Sequence, residues 1–208
     1  MHREPDSRRS PRSVVVMLGS LVLLTAVDLG TKEWALHNLS VPRPADSRGA
    51  VCEPDGHGRI AYQRRPQVPR PLIDGVLNLY YAENCGAAFS MLGTAPGWLR
   101  LVVFGTASIG AAVVLISMFV RGAGGLLFAA AVPLIVSGAV GNNLSDRPRH
   151  GFVVDFLQVH PDLFDYPIFN VADIWIVIGA GLLLIDGFRK PRKVAVDPPA
   201  VLPVSTGV

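Results

Sequence analysis

The 208-residue chain is half hydrophobic and only 17% charged, with a formal net charge of +3. That balance excludes an ordinary water-soluble domain and makes the bilayer the expected solvent. The positive excess lies mostly beside apolar runs, so it marks topology and gives no reason to expect a nucleic-acid partner.

A helix needs roughly 20 apolar residues to cross the hydrocarbon core, and four runs in the chain approach that length. A basic segment, residues 1–13 with Arg3, Arg8, Arg9 and Arg12, precedes the first, at 14–36. A cleavable signal peptide would also show a basic start and an apolar stretch. This run is long for one, however, and Asp28-Leu-Gly-Thr-Lys32 stands where small residues would mark a cleavage site, so it reads as a retained helix. Residues 41–75, rich in Pro, Arg and Gly, show no sustained period and predict an irregular extracytoplasmic insertion or partly disordered loop. Val76–Tyr81 predicts a short extended segment whose paired tyrosines suit a membrane interface. A second span is predicted at 98–120, interrupted only by Arg100. The turn Arg121-Gly-Ala-Gly-Gly125 leads to a third at 126–143. Gly151–Phe156 is another strand-prone piece, and a fourth span follows at 171–188. Residues 191–208, with Pro198-Pro199 and no aromatic residue, predict a disordered tail.

Lys and Arg beside spans stay on the cytoplasmic side, whereas long segments cross largely regardless of charge. The basic start, Arg121 and the group Arg189, Lys190, Arg192 and Lys193 therefore belong inside. The predicted fold class is an all-α membrane protein of four transmembrane helices, both termini cytoplasmic, with the β segments extracytoplasmic. Cys52 and Cys85 fall in outward-facing sequence, where a disulfide can persist. A bridge and two independent thiols both stay open, the second being preferred, and neither cysteine has metal-ligand spacing.

Polar residues inside or at the ends of spans are expensive and point to function. The topology places Asp28 and Lys32 in the outer part of the first span, and Asn142, Asn143, Asp146 and Arg147 at the outer end of the third. Asn170 and Asp173 fall at the outer start of the fourth, with Asn84 and Asp155 in the outer segments. Each has a plain structural reading: an i,i+4 ion pair for Asp28 and Lys32, a loop pair for Asp146 and Arg147, an N-cap for Asn170, a tight turn around Asn84. Asp173 is harder to dismiss, because it lies within Val-Ala-Asp-Ile-Trp-Ile-Val-Ile. No Ser-Lys, Ser-His or metal arrangement stands out at this face. Two carboxylates embedded in apolar sequence, Asp155 and Asp173, remain. Such acids, brought together, share one proton, so that one activates water and the other protonates a leaving amine. That chemistry hydrolyses a peptide bond and requires no cofactor.

Five pieces in order resemble the lipoprotein signal peptidases, or signal peptidase II: Asp28-x-x-Thr-Lys32; Asn84-x-Gly-Ala-Ala-Phe-Ser90; Gly138-Ala-Val-Gly-Asn142 with Asn143-Leu-x-Asp-Arg147; Gly151-x-Val-Val-Asp-Phe156; and Phe169-Asn-x-Ala-Asp173. The resemblance implies that residues 14–190 form a membrane peptidase domain acting on diacylglyceryl-modified prolipoproteins among membrane lipids. It implies Asp155 and Asp173 as the catalytic pair, Asn84, Asn143, Arg147 and Asn170 around the substrate, and Asp28, Lys32, Gly86 and Asp146 in support. It also implies a small β cradle, with 76–81 as a candidate part. The third piece is one residue longer than the family's Gly-Asn-Leu-x-Asp-Arg, which makes Asn142 the alternative to Asn143. The four-residue step to Arg147 favours Asn143. A proton-coupled transporter or a non-catalytic assembly factor would also place polar residues in spans, but no internal repeat of the kind transporters show is present.

Overall fold

A computed structural model describes residues 8–44, 51–53, 60, 62–86, 95–160, 162 and 166–188. The predicted tail at 191–208 lies outside them. Four helices are long and apolar enough to cross a membrane: Pro11–Asn38, Gly97–Val120, Leu126–His150 and Val171–Phe188. In lipid no water is present to satisfy peptide groups, so the apolar runs close their hydrogen bonds internally as helices. The first, α1 (Pro11–Asn38), starts at Ser10, whose hydroxyl accepts from the Ser13 N–H, with Pro11 in the first turn where its missing N–H costs nothing. Then come α2 (Gly97–Val120), α3 (Leu126–Ala139), a π-helical turn (Val140–Asp146), α4 (Arg147–His150) and α5 (Val171–Phe188).

Half of the third span is buried, against 11% or less of each of the others, so α3 is the central helix, with α1, α2 and α5 packed around it. Val15, Leu23, Val113, Val177 and Leu184 stand exposed on the outside of the bundle, as a lipid-facing surface requires. Small residues let α5 approach closely. A Cβ on Gly138 would lie 2.6 Å from the Ala172 carbonyl oxygen.

The two ends of the bundle differ. At one, Arg9 donates to the carbonyls of Ala123, Gly124 and Gly125, tying the N-terminal segment to the α2–α3 turn. A core of Met17, Phe119, Phe128, Val132 and Val136 lies beneath it. At the other end sit two small antiparallel sheets. One pairs β1 (Ser40–Pro42) with β2 (Arg64–Pro66); the other has the order β3 (Arg70–Ile73), β4 (Leu77–Asn84), β5 (Val153–Val159). Glu83 joins them, accepting from the backbone N–H groups of Gln63 at 2.7 Å and Arg64 at 2.8 Å. Burial raises the pKa of that carboxyl above the usual carboxylate range, and those two N–H groups oppose the rise.

Two expectations are corrected here. The 41–75 insertion, expected to be irregular, contributes among its described residues strands of three or four residues, too short to leave a period in the sequence, while 45–50, 54–59 and 61 lie outside the described residues. Cys52 and Cys85, preferred as independent thiols, are disulfide-bonded across a Cα–Cα distance of 5.4 Å. They stand 33 positions apart, so no local pattern announces the pairing.

Candidate active site

The β4–β5 register brings Ala82 opposite Asp155 and Asn84 opposite Val153. Side chains alternate along a strand, so Asn84 and Asp155 share one sheet face as diagonal neighbours. The Asn84 Nδ2 donates to Asp155 Oδ2 at 2.9 Å. Asn84 Oδ1 also accepts from the Gly86 N–H at 3.1 Å, closing the turn that was the plain reading of this piece.

Beyond β5 the chain returns beside it. The N–H groups of Phe156 and Leu157 donate to the Phe169 carbonyl, and the Phe169 N–H donates to Leu157. That pairing delivers Asn170 to Asp155, with Nδ2 donating to Oδ1 at 2.6 Å. Asn170 is simultaneously the N-cap of α5. Its Oδ1 accepts from the Asp173 N–H at 3.0 Å, and Asp173 Oδ2 accepts from the Asn170 N–H at 3.1 Å. This reciprocal capping box satisfies two orphan donors and fixes the Asp173 carboxylate over its own helix start. A third donor, the Ala172 N–H, is taken by Asp28 of α1 at 2.8 Å.

The third piece runs through the π turn, where the Arg147 N–H bonds the carbonyl of Asn142, five residues back. A π turn holds one residue more than an α turn, so the flanking faces keep their orientation. As a result the two adjacent asparagines serve different neighbours. Asn142 Nδ2 donates to Asp173 Oδ1 at 2.8 Å, while its Oδ1 accepts from Asn170 at 3.0 Å and from Lys32 Nζ at 2.6 Å. Asn143 accepts from Arg147 Nε at 3.0 Å and donates to Ser108 at 2.9 Å. The structure therefore brings Asn142, the alternative, to the aspartates, and places Asn143, the preferred residue, on Arg147 four positions on.

Behind Asn142 lies a buried charge cluster. Lys32 Nζ is 2.9 Å from Asp28 and 3.1 Å from Asp146, with all three side chains at most 2% exposed. Asp146 also accepts from the Val154 N–H at 3.1 Å, next to Asp155 in the chain. Gly141 lacks a side chain where a Cβ would overlap the Asp28 carboxylate. Arg147 stands apart from the aspartates. It donates to the carbonyls of Cys85, at 3.2 Å, and Gly86, and stacks over Phe104.

Burial drives the Asp155 pKa up to about 8. The charge of Asp173 adds to the rise, whereas the Asn84 and Asn170 amides and Lys32 oppose it. A carboxyl in that position carries a proton at neutral pH and can donate it. Of the residues singled out from sequence, Asp155, Asp173, Asn84, Asn170, Asn142, Lys32, Asp28 and Asp146 form one connected hydrogen-bond network. Arg147, Asn143 and Gly86 extend it through the Gly86 N–H on Asn84. Sequence reading passed over Ser108 and Arg100. Arg100 is buried in α2 and donates to the Cys85 carbonyl at 3.0 Å, and its signal was available as a charge within an apolar span.

Residues 20–189 match the family model described as signal peptidase (SPase) II. A lipoprotein signal peptidase from Serratia proteamaculans is 34% identical over 173 residues, covering 83% of this chain and 86% of the relative. One from Yersinia enterocolitica is 36% identical over the same shares. One from Ralstonia nicotianae is 46% identical over 121 residues, 58% of this chain and 69% of the relative. Two solved structures described as bacterial membrane enzymes share the fold. They have TM-scores of 0.64 at 22% identity, over 90% of this chain and 100% of that one, and 0.63 at 24%, over 92% and 99%.

Proposed function

This chain belongs to the signal peptidase II family of aspartic peptidases, and from that premise we propose that it removes signal peptides from diacylglyceryl-modified prolipoproteins with Asp155 and Asp173 as a catalytic dyad. The observation that carries the reading is the shared asparagine. Asn170 hydrogen-bonds both carboxylates, and Asn142 and Asn84 each hold one of them.

The dyad works with one proton between its two members. The ionised member takes a proton from water as the water oxygen adds to the carbonyl carbon preceding the lipidated cysteine. The protonated member gives its proton to the amine nitrogen as the C–N bond breaks. Asn84, Asn170 and Asn142 keep the carboxyls oriented, and Arg147, held over the Cys85 and Gly86 carbonyls with Asn143, shapes the segment that follows Asn84.

The site operates at the extracytoplasmic face of the bacterial inner membrane. Two features support that orientation. Basic residues flank the opposite end of the bundle, and the disulfide lies at the same end as the aspartates, as an oxidising compartment allows. Purified protein incubated with lipidated prolipoprotein should release the signal peptide. A preparation that leaves lipidated substrate intact while remaining monodisperse would sink the reading.

A further inference from the structure

Asn84 is the end residue of β4, and the residues on either side of it are fastened to the 41–75 insertion. Strand alternation turns Glu83 away from the face that carries Asn84. Glu83 accepts from the backbone of Gln63 and Arg64, and Cys85 is bonded to Cys52. The segment around Cys52 is itself seated against the site. Cys52 lies in the core with Tyr81, Cys85, Phe152 and Val154, and Val51 packs so closely on Gly151 that a Cβ there would lie 2.6 Å from its Cγ1. Among the described residues Cys52 is the one non-glycine residue with positive φ, at 57°, a conformation that persists only where surrounding contacts impose it. From the other side Arg100 and Arg147 grip the Cys85 carbonyl.

We propose that the insertion is a brace behind the active site, and that the Cys52–Cys85 disulfide is its reducible link, a positioning element that holds Asn84 on Asp155. The inference rests on the peptidase reading for its kinetic consequence, but the placement of Asn84 can be read without turnover. A dithiol reductant supplies two electrons and two protons. The S–S bond breaks to two thiols, and the reductant closes to its own disulfide.

The test uses the full chain in detergent micelles or nanodiscs, with alkylation and mass measurement to establish that both thiols are free. Oxidised protein should cleave lipidated prolipoprotein. Reduction should lower kcat about tenfold while KM stays within about twofold, the magnitude of losing one oriented hydrogen bond at the reacting group, and reoxidation should restore it. The double variant Cys52→Ser with Cys85→Ser should sit at the reduced rate and ignore reductant. In the Asn84→Ala background reduction should change the residual rate little, which a disulfide serving only overall stability would not produce. Independently of turnover, the side-chain amide NMR resonance of Asn84, assigned by its loss in Asn84→Ala, should shift on reduction. Unchanged kcat and an unmoved Asn84 resonance in fully reduced protein would overturn the brace. Oxidised protein that fails to cleave while the resonance still shifts would instead count against the peptidase reading alone.

Discussion

Asn142 donates to Asp173 at 2.8 Å, whereas Asn143, its neighbour in the chain, is turned to Arg147. The π turn separates their directions, so Asn142→Ala and Asn143→Ala are not equivalent. Asn142→Ala removes a donor from Asp173 and leaves Lys32 short of an acceptor, a penalty of about 1–3 kcal/mol, or roughly 5- to 150-fold in rate. Asn143→Ala should cost only a few-fold. Steady-state kinetics on lipidated substrate with both variants decides the order, and the reverse order would remove Asn142 from the site.

Asp155→Asn and Asp173→Asn preserve shape but remove the groups proposed as base and proton carrier. Each should lower cleavage by at least roughly 10²–10⁴-fold, with membrane insertion and abundance nearly intact. The double variant should be scarcely worse, because the two act as a unit. Asp74→Asn and Asp162→Asn are controls outside the network and should keep normal activity. A near-normal rate in either dyad variant would show that residue to be no half of a catalytic pair.

The pH profile follows from the raised Asp155 pKa of about 8. Between the lower pKa of the pair and that value the dyad keeps its one proton and both roles are filled. Above it both carboxyls ionise, the leaving amine has no acid, and kcat should fall about tenfold per unit. A profile flat to pH 10 would mean that the shared proton is not needed.

Lys32 is ion-paired with two buried carboxylates, Asp28 and Asp146. Lys32→Met strands both, and breaking a buried pair in this way costs about 3–5 kcal/mol. Thermal unfolding in detergent should show a marked loss of stability, exceeding that of Glu33→Gln, whose ion pair with Arg149 is half exposed. Equal stability of Lys32→Met and the unaltered chain would mean that the cluster does not support the fold.

Orientation is read with reporter fusions. One placed after Arg192 should behave as cytoplasmic and one inserted near Gly58 as extracytoplasmic, following the basic flanks. A cytoplasmic signal at Gly58 would put the aspartates on the wrong side of the membrane.

By itself the sequence determined the spans and singled out the buried carboxylates proposed to react, because run length and a charge in an apolar run are local properties. Apolar run length makes a helix in lipid whatever its neighbours, and a carboxylate such as Asp173 inside an apolar run stands out without any partner in view. Only the tertiary structure decided the pairings. Whether Asn142 or Asn143 meets Asp173 depends on how one extra residue is wound into a helix, and a π turn has no signature in residue type. Strands of three residues leave no period, so the pairing of β1 with β2 is written in contacts separated by more than 20 residues. The disulfide is of the same kind: Cys52 and Cys85 meet because Val51 packs on Gly151 and Glu83 binds the backbone of β2, and contacts between segments far apart in the chain are fixed by packing that single-sequence periodicity does not record.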